Sequence, residues 1–381
     1  MKRLQQGLSM IEMMVAIVLA IVVTDAAVSL FVANGATSQT TAAISAVGDN
    51  GRFALSFLEE AIRGGGYMAC NATNNLHIVP APGTTHTAQI SVIPPAPASV
   101  FTILNNYTQA FSGFEAANSG PLGAVALQAP PVAGTNNGGN WIAPGLDAVV
   151  VNPPAPPNGP GTVTPGSDVL VVREVLPQSA NLYVGGAGYV HGSVAVPILN
   201  TAPIAAIATP ANAVISNCTT SVAFQILGIG AGTVTTNADL TIDFDPYSSV
   251  ALTDTAAYFV APGRDQDSAL WVYHDSTNTY QELVPDIENM QVLYGVAPNT
   301  PTLATQYITA DQIPPTTVDF NQVVSVKIAV LAANPPQSGN AVATPPAAKV
   351  YQLLGTQVTA PLDARMRQVF EETITARDAT Q

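Results

Sequence analysis

Glu12 is the residue whose placement most directly points to an interaction, because it lies near the start of a long apolar run. The run extends from residue 8 to residue 32, and Asp25 is its only other charged residue. A carboxylate in such a segment costs roughly 2.5–3.5 kcal/mol on membrane-insertion scales, and it usually has a functional partner. A plain membrane anchor would leave this acid unexplained.

The two cysteines, Cys70 and Cys218, are a second pair that could react. Both lie far beyond the apolar run, so an oxidising compartment would allow them to form a disulfide. In the chain-entropy model, closing so long a loop stabilises a fold by roughly 4–5 kcal/mol. Two unpaired, buried thiols are the alternative.

Other chemical motifs are absent from the sequence. No lysine follows a glycine, no histidine precedes a glutamate and there is no GxSxG turn, which argues against a P-loop, an HExxH zinc site and a serine-hydrolase elbow. Two pairs of alternating acids, Asp243 with Asp245 and Asp265 with Asp267, lack the full EF-hand spacing, so we interpret them as acids in turns. The lone tryptophans, Trp141 and Trp271, are interpreted as packing residues. We therefore expect no enzyme, no cofactor and no metal.

The charge balance limits the kinds of partner. The 381 residues include 11 Lys and Arg against 25 Asp and Glu, a formal net charge of −14. Nucleic-acid binding draws most of its non-specific affinity from Lys and Arg, so a nucleic-acid partner is not expected. The 31 prolines and 29 glycines are typical of a β-rich secreted protein with long surface loops.

The first seven residues are short, polar and basic, and they end at Gly7. The 25-residue apolar run that follows would span roughly 38 Å as a helix, enough for a hydrocarbon core of about 30 Å. Lys2 and Arg3 precede the run and the next basic residue is Arg52, which predicts a cytoplasmic N-terminus and an external body. An ordinary secretory signal peptide or an uncleaved anchor are the alternatives.

The segment GLSMIEMMVA, residues 7–16, resembles the class III signal of type IV prepilins. The resemblance implies that prepilin peptidase cuts between Gly7 and Leu8 and methylates the new Leu8 amine, and that Glu12 becomes the fifth residue of the mature chain. This amine stays cationic near neutral pH, and Glu12 can neutralise it, in the same helix or in a neighbouring subunit, within a low-dielectric bundle. The family more often has phenylalanine where this chain has Leu8.

Beyond the apolar run, helical spacing places apolar side chains on one face as far as the glycines 64–66, where we expect the helix to end. The residues of this predicted core face are Phe53, Phe57, Leu58, Ala61 and Ile62. Gly35, Gly48 and Gly51 predict a weak or extended middle. Proline-rich segments at 94–99, 130–139 and 153–166 indicate long surface loops.

Several later segments have the β-branched and aromatic content of strands. They are Ser167–Val175, Ser221–Ile229, Asp239–Asp245, Ala256–Pro262, Ser268–His274 and Val323–Ala333. The sequence therefore predicts an α+β, pilin-like fold, in which a long N-terminal helix with a membrane half and an amphipathic half packs on an antiparallel β-sheet with long Pro/Gly-rich loops. The expected divisions are a leader at 1–7, a transmembrane or filament-core helix at 8–33, its second half at 34–66 and a β-rich body at 67–381.

Segments in the order AIRGGGYMAC, SDVLVVREV, LVPDIENMQVLYGV, VVSVKIAVLAA and ARMRQVFEETITARD resemble the PilW family of minor pilins. Departures are Gly65, where the family often has alanine, and Arg377-Asp378, where arginine-asparagine is commoner. Arg365 and Arg367 in the last segment alternate with Met366, as at a strand edge. The resemblance implies a structural role in type IV pilus assembly or initiation, at the fibre tip.

The implied partners are prepilin peptidase, other minor and major pilins and the inner-membrane assembly platform. The implied location is the inner membrane, crossed once with the body in the periplasm, and then the extracellular fibre. A type II secretion pseudopilin would share these signals, and a tip adhesin that uses the proline-rich loops is a further alternative. An anchored periplasmic enzyme is the most distant one.

Overall fold

A computed structural model describes most of the helix and body. The described residues are 10–68, 71–72, 76–78, 109–127, 159–161, 163–176, 182–217, 220–265, 267–297, 303–313, 320–335, 347–363 and 365–376. Gly7, Leu8, Cys70, Cys218, Trp141 and most of the proline-rich segments lie outside these ranges.

One α-helix, α1 (Met10–Gly64), contains 55 residues and is roughly 80 Å long. It continues through Gly35, Gly48 and Gly51, so the expected weakness of its middle is wrong. An isolated glycine costs a helix only about 1 kcal/mol relative to alanine, and the alanine-rich sequence around these positions favours helix. The helix ends as predicted, where Gly66 takes a φ of 83° and its N–H donates to the carbonyl of Arg173 at 2.9 Å.

The described body is built from short and medium strands. In chain order they are Tyr67–Met68 (β1), Asn71–Ala72 (β2), Leu76–Ile78 (β3), Phe111–Phe114 (β4), Ala124–Ala126 (β5), Val169–Val175 (β6), Leu182–Tyr183 (β7), Ala195–Pro197 (β8), Ala211–Ser216 (β9), Ser221–Gly230 (β10), Thr233–Thr236 (β11), Ser249–Pro262 (β12), Ser268–His274 (β13), Thr279–Pro285 (β14), Ile287–Val296 (β15), Gln306–Ile308 (β16), Val323–Ala333 (β17), Val350–Leu353 (β18), Thr356–Thr359 (β19) and Arg367–Thr375 (β20).

Two sheets support the helix. The larger has the order β14-β13-β12-β9-β10-β11-β8, with β6 and β7 also paired to β12, β4 to β6 and β3 to β10. The second has the order β16-β15-β17-β20. Their pairings are antiparallel except for β3 with β10, and α1 contacts β20, β17, β14 and β6. The long helix on an antiparallel-rich body is the pilin-like α+β fold predicted from the sequence.

The main core lies between the C-terminal half of α1 and these sheets. Leu58 and Ile62 are fully buried against residues such as Met290 and Ile328. Phe53 and Phe57, which we expected in this core, are 60% and 41% exposed. Each lies one residue before a buried position, about 100° around the helix from the buried row, so helical spacing assigned them to the wrong face.

A second core fills the part of the body between β7 and the first half of β12, around Phe224 and Ile215. A third lies on the other face of β6, β12 and β13 and contains Trp271, which confirms its predicted packing role. The strands at Ser268–His274 and Val323–Ala333 have the predicted bounds.

The segment Asp239–Asp245 is not a strand, contrary to the prediction, and Phe244 forms only an isolated bridge with Tyr189. Thr241 has a φ of 63°, which interrupts an extended backbone. Asp239 instead accepts hydrogen bonds from the Tyr189 hydroxyl and the Gly192 N–H, both at 2.7 Å. These contacts fix the segment as a loop.

Candidate assembly surface

The N-terminal part of α1 extends beyond the body and exposes its apolar side chains. Its described side chains from Met10 to Ala42 are all exposed, including Met10 at 85% and Phe31 at 81%. The most apolar 18-residue window has a mean hydropathy of 2.6, and none of it is buried. The helix is therefore long and apolar enough to cross a membrane, and its exposed part of roughly 50 Å is longer than the hydrocarbon core.

Threonines in this region satisfy their hydroxyl groups within the helix. Thr24 donates to the carbonyl of Ala20 at 2.7 Å, and Thr37 donates to that of Ala33 at 2.9 Å. Such bonds from residue i to residue i−4 leave no side-chain donor that requires water. These two threonines are thus compatible with an apolar environment.

Glu12 and Asp25 are both exposed on this part of α1. Glu12 is the third described residue of α1. The two acids are roughly 20 Å apart along the axis and about 140° apart around it. They therefore face different neighbours, and only Glu12 lies near the N-terminal end.

The proposed cleavage pair, Gly7 and Leu8, lies outside the described residues, as do Cys70 and Cys218. The chain around the cysteines is partly described, since β3 pairs in parallel with β10 and Leu76 lies opposite Ser221. This pairing brings segments that follow the two cysteines into one sheet. The disulfide stays a prediction.

The body also contains clusters of charged side chains that the sequence did not indicate. Arg367, whose side chain is 2% exposed, bonds to Glu288 at 2.5 Å and to Asp363 at 2.6 Å. Arg365 bonds to Asp286 at 2.7 Å. These arginines connect the start of β20, the outer strand of its sheet, to the start of β15, so they are largely buried structural groups at a strand edge.

Two further pairs of acids, Glu115 with Asp168 and Glu174 with Asp254, are each brought close together in a partly or fully buried position. Burial and, after it, the charge of Asp168 raise the pKa of Glu115 to about 9, while burial raises the pKa of Asp168 to about 7. Burial also raises the pKa of Glu174 to about 7, helped by the charge of Asp254 and opposed by His274. Residues so far apart in sequence carry no local motif, and only the strand pairing brings them together.

The two acid pairs first considered for calcium have other partners. Asp243 accepts from the His191 N–H at 2.7 Å and lies 2.8 Å from its Nδ1. Asp267 lies 3.4 Å from Arg365, and Asp265 is exposed. These contacts agree with their interpretation as turn acids.

Comparison with known proteins finds a family model that matches part of the chain. The family model for type IV pilus-assembly protein W, PilW, matches residues 257–378, about a third of the chain. The matched segment extends from β12 to just beyond β20 and includes β14, β17 and β20, on which α1 packs. It contains the three last segments that resemble PilW in the sequence.

Among solved structures, the chain is similar to a type IV-like pilin from Thermus thermophilus at 15% identity, over 45% of this chain and 86% of that one, with a TM-score of 0.19. That score is too low to support an argument about arrangement. No curated protein sequence matches the chain. The match over residues 257–378, together with the long helix on antiparallel sheets, supports a PilW-type pilin.

Proposed function

We propose that this pilin is a minor subunit of a type IV pilus, which helps to initiate assembly at the tip and enters the fibre through lateral packing of α1. The observation that supports this most is the apolar part of α1 that projects beyond the body with every described side chain exposed. Such a surface needs either lipid or other apolar helices around it, and a pilin encounters both in turn.

In this proposal, prepilin peptidase cuts between Gly7 and Leu8, and residues 8–33 hold the chain in the inner membrane with the body in the periplasm. The assembly platform then moves the subunit into the fibre, beside other minor and major pilins. Glu12 pairs with the methylated amine of a neighbouring subunit and sets the axial register. Removing one partner of a buried ion pair costs roughly 3–5 kcal/mol, so this contact is able to select correctly placed subunits.

Glu12→Gln tests the proposed ion pair, and Asp25→Asn is its matched control. Both substitutions remove one carboxylate from the same exposed apolar helix and keep a polar amide. We expect Glu12→Gln to be cleaved normally but to enter sheared fibres at least about tenfold less than the unaltered chain, because its ion pair is lost. Asp25→Asn should enter almost normally, as quantified by immunoblots of fibre and membrane fractions.

Equal incorporation of both variants would remove Glu12 from the mechanism.

Mass spectrometry of the N-terminus tests the processing step separately. A chain that starts at methylated Leu8 supports the prepilin proposal, whereas a start at Met1 or beyond Ala26 contradicts it. Loss of pili and twitching on deletion supports a pilus role, while loss of secreted hydrolases would indicate a secretion pseudopilin instead.

A further inference from the structure

Three potential metal ligands lie together on the large sheet. Glu174 on β6, Asp254 on β12 and His274 on β13 bring their ligand atoms within 4.8 Å of one another. Asp254 is directly opposite Glu174, and His274 is opposite Ala256, two residues further along β12. Because side chains alternate along a strand, Asp254 and Ala256 share a face, and the three ligands point to the same side.

Even with His274 protonated, this cluster has one positive charge against two carboxylates and stays net negative without a further cation. Two carboxylates directly opposite each other on neighbouring strands repel, and here both are held in a partly or fully buried position. The charge of Glu60, on α1, also acts on Glu174, and the charge of Asp254 acts on Asp275. A divalent cation between the carboxylates would convert this repulsion into attraction.

The most buried ligand is held in place by two contacts. The Asp254 side chain is 0% exposed, and its oxygens lie 2.6 Å from His274 Nδ1 and 2.8 Å from the Ser276 N–H. The hydroxyl oxygen of Ser276 is itself buried and has no hydrogen-bond partner in the part of the chain that the structure describes. A bound water or ion is one explanation of such a hydroxyl.

The donor set identifies the class of cation. Ca²⁺ and Mg²⁺ select oxygen ligands, whereas a site with one imidazole nitrogen and two carboxylates suits Zn²⁺. Zinc bonds of about 2.0–2.2 Å to nitrogen and oxygen require the three ligand atoms to move closer than 4.8 Å. The metal also has to replace the proton shared by His274 and Asp254, so binding releases a proton.

We propose that Glu174, Asp254 and His274 form a Zn²⁺ site that joins β6, β12 and β13 next to the C-terminal end of α1. A Cβ atom placed on Gly64 would lie 3.9 Å from Glu174 Oε2, so the site adjoins the last residue of the helix. Bound zinc would therefore stabilise the sheet at the place where α1 joins the body. This site is additional to the pilin role and independent of it.

The test uses the full chain in detergent micelles, after removal of metal with a chelator. Zn²⁺ is titrated by calorimetry, and the unfolding temperature is measured with and without the metal. We expect one Zn²⁺ per chain and a rise of several degrees in the unfolding temperature. His274→Gln should weaken zinc binding by at least about tenfold.

His191→Gln is the matched control, because His191 also pairs with an aspartate, Asp243, at 2.8 Å but on the exposed surface. Its zinc affinity should equal that of the unaltered chain. Glu174→Gln distinguishes loss of zinc binding from loss of folding. It removes one zinc ligand, and it also removes the repulsion between the carboxylates of Glu174 and Asp254. It should raise the unfolding temperature of the metal-free protein and abolish the further rise caused by zinc.

Three results would overturn the proposal. One is that the unaltered chain binds no Zn²⁺. Another is that His274→Gln binds it as tightly as the unaltered chain does. The third is that Ca²⁺ stabilises the protein as much as Zn²⁺ does, with or without His274, which would show an unselective attraction of cations to acidic groups.

Discussion

At the scale of single residues, Glu115 and Asp168 share one hydroxyl group. The Ser119 oxygen lies 3.0 Å from a carboxylate oxygen of each and 2.6 Å from the carbonyl oxygen of Ala116. A hydroxyl carries one proton and cannot donate to three acceptors at once. A proton on Glu115, donated to the Ser119 oxygen, leaves the Ser119 proton for the other two acceptors and agrees with the raised pKa of Glu115, about 9.

This proton predicts that stability falls as pH rises. Below pH 4.5 Glu115 is protonated in both states, whereas between pH 4.5 and about 9 only the folded chain holds the proton. Stability should then decrease with a slope of about 1.4 kcal/mol per pH unit for each such proton. Glu115→Gln imitates the protonated acid, so its unfolding temperature should fall less between pH 5 and pH 9.

The same measurement on Glu371→Gln is the control, because Glu371 is 40% exposed on β20 and pairs with Lys327 only at 4.0 Å. Its pH profile should match that of the unaltered chain. If the profile of Glu115→Gln is also unchanged, the buried proton does not contribute to stability.

The sequence predicted the position of single residues correctly where their neighbours in the chain determine it. Trp271 was expected in packing and is buried, and Glu12 was placed on an apolar helix where it lies exposed. It failed for Arg365 and Arg367, whose partners Asp286 and Glu288 are about 80 residues away in sequence. Strand pairing, not local spacing, determines such contacts.

At the scale of elements, two glycines in α1 have opposite surroundings. A Cβ atom on Gly51 would lie 2.2 Å from the ring of Phe370, on β20, whereas a Cβ atom on Gly48 would have nothing within 4 Å. Gly51 therefore allows the close approach of α1 to β20. Gly48 has no such role within the part of the chain that the structure describes.

Alanine substitutions should separate these two cases. Gly48→Ala should stabilise the protein by about 0.5–1 kcal/mol through helix propensity alone. Gly51→Ala has the same propensity gain but forces the Phe370 ring to move, which typically costs about 1–3 kcal/mol in a packed site. Chemical denaturation of the full chain in detergent measures both changes, and equal stabilisation would show that Phe370 moves without cost.

The pattern of the sequence predicted the type of α1 and of several long strands, with the bounds of β13 and β17, because burial leaves a regular pattern. It could not predict the loop at Asp239–Asp245, since that segment has the apolar alternation of a strand. The side chain of Asp239 binds the Tyr189–Gly192 turn instead. Nor did it show that the buried row of α1 passes beside Phe53 and Phe57.

At the scale of the whole molecule, the two halves of α1 have different relations to the body. A chain that starts at residue 34 loses, among the residues that the structure describes, only exposed ones. It should be soluble without detergent, with an unfolding temperature close to that of the full chain. A chain that starts at residue 67 also loses Leu58 and Ile62, which are fully buried in the main core. Removing one such side chain costs about 2–5 kcal/mol, so this chain should not fold.

Size-exclusion chromatography and circular dichroism of the two shortened chains check this prediction. A folded, monomeric protein from residue 67 onward would show that the body does not need the helix. Aggregation of the chain from residue 34 would contradict the prediction. It would show that the N-terminal half of α1 shields the body, although its described side chains do not belong to the core.

The continuous α1 has a mechanical consequence. Because its docked part lies along β17 and β20 and its other end projects from the body, a pull on that end acts parallel to the docked surface. The contacts from Val47 to Ile62 then resist shear together over roughly 22 Å and cannot be peeled apart one at a time. Tension applied to the helix would therefore reach the body as a shared load.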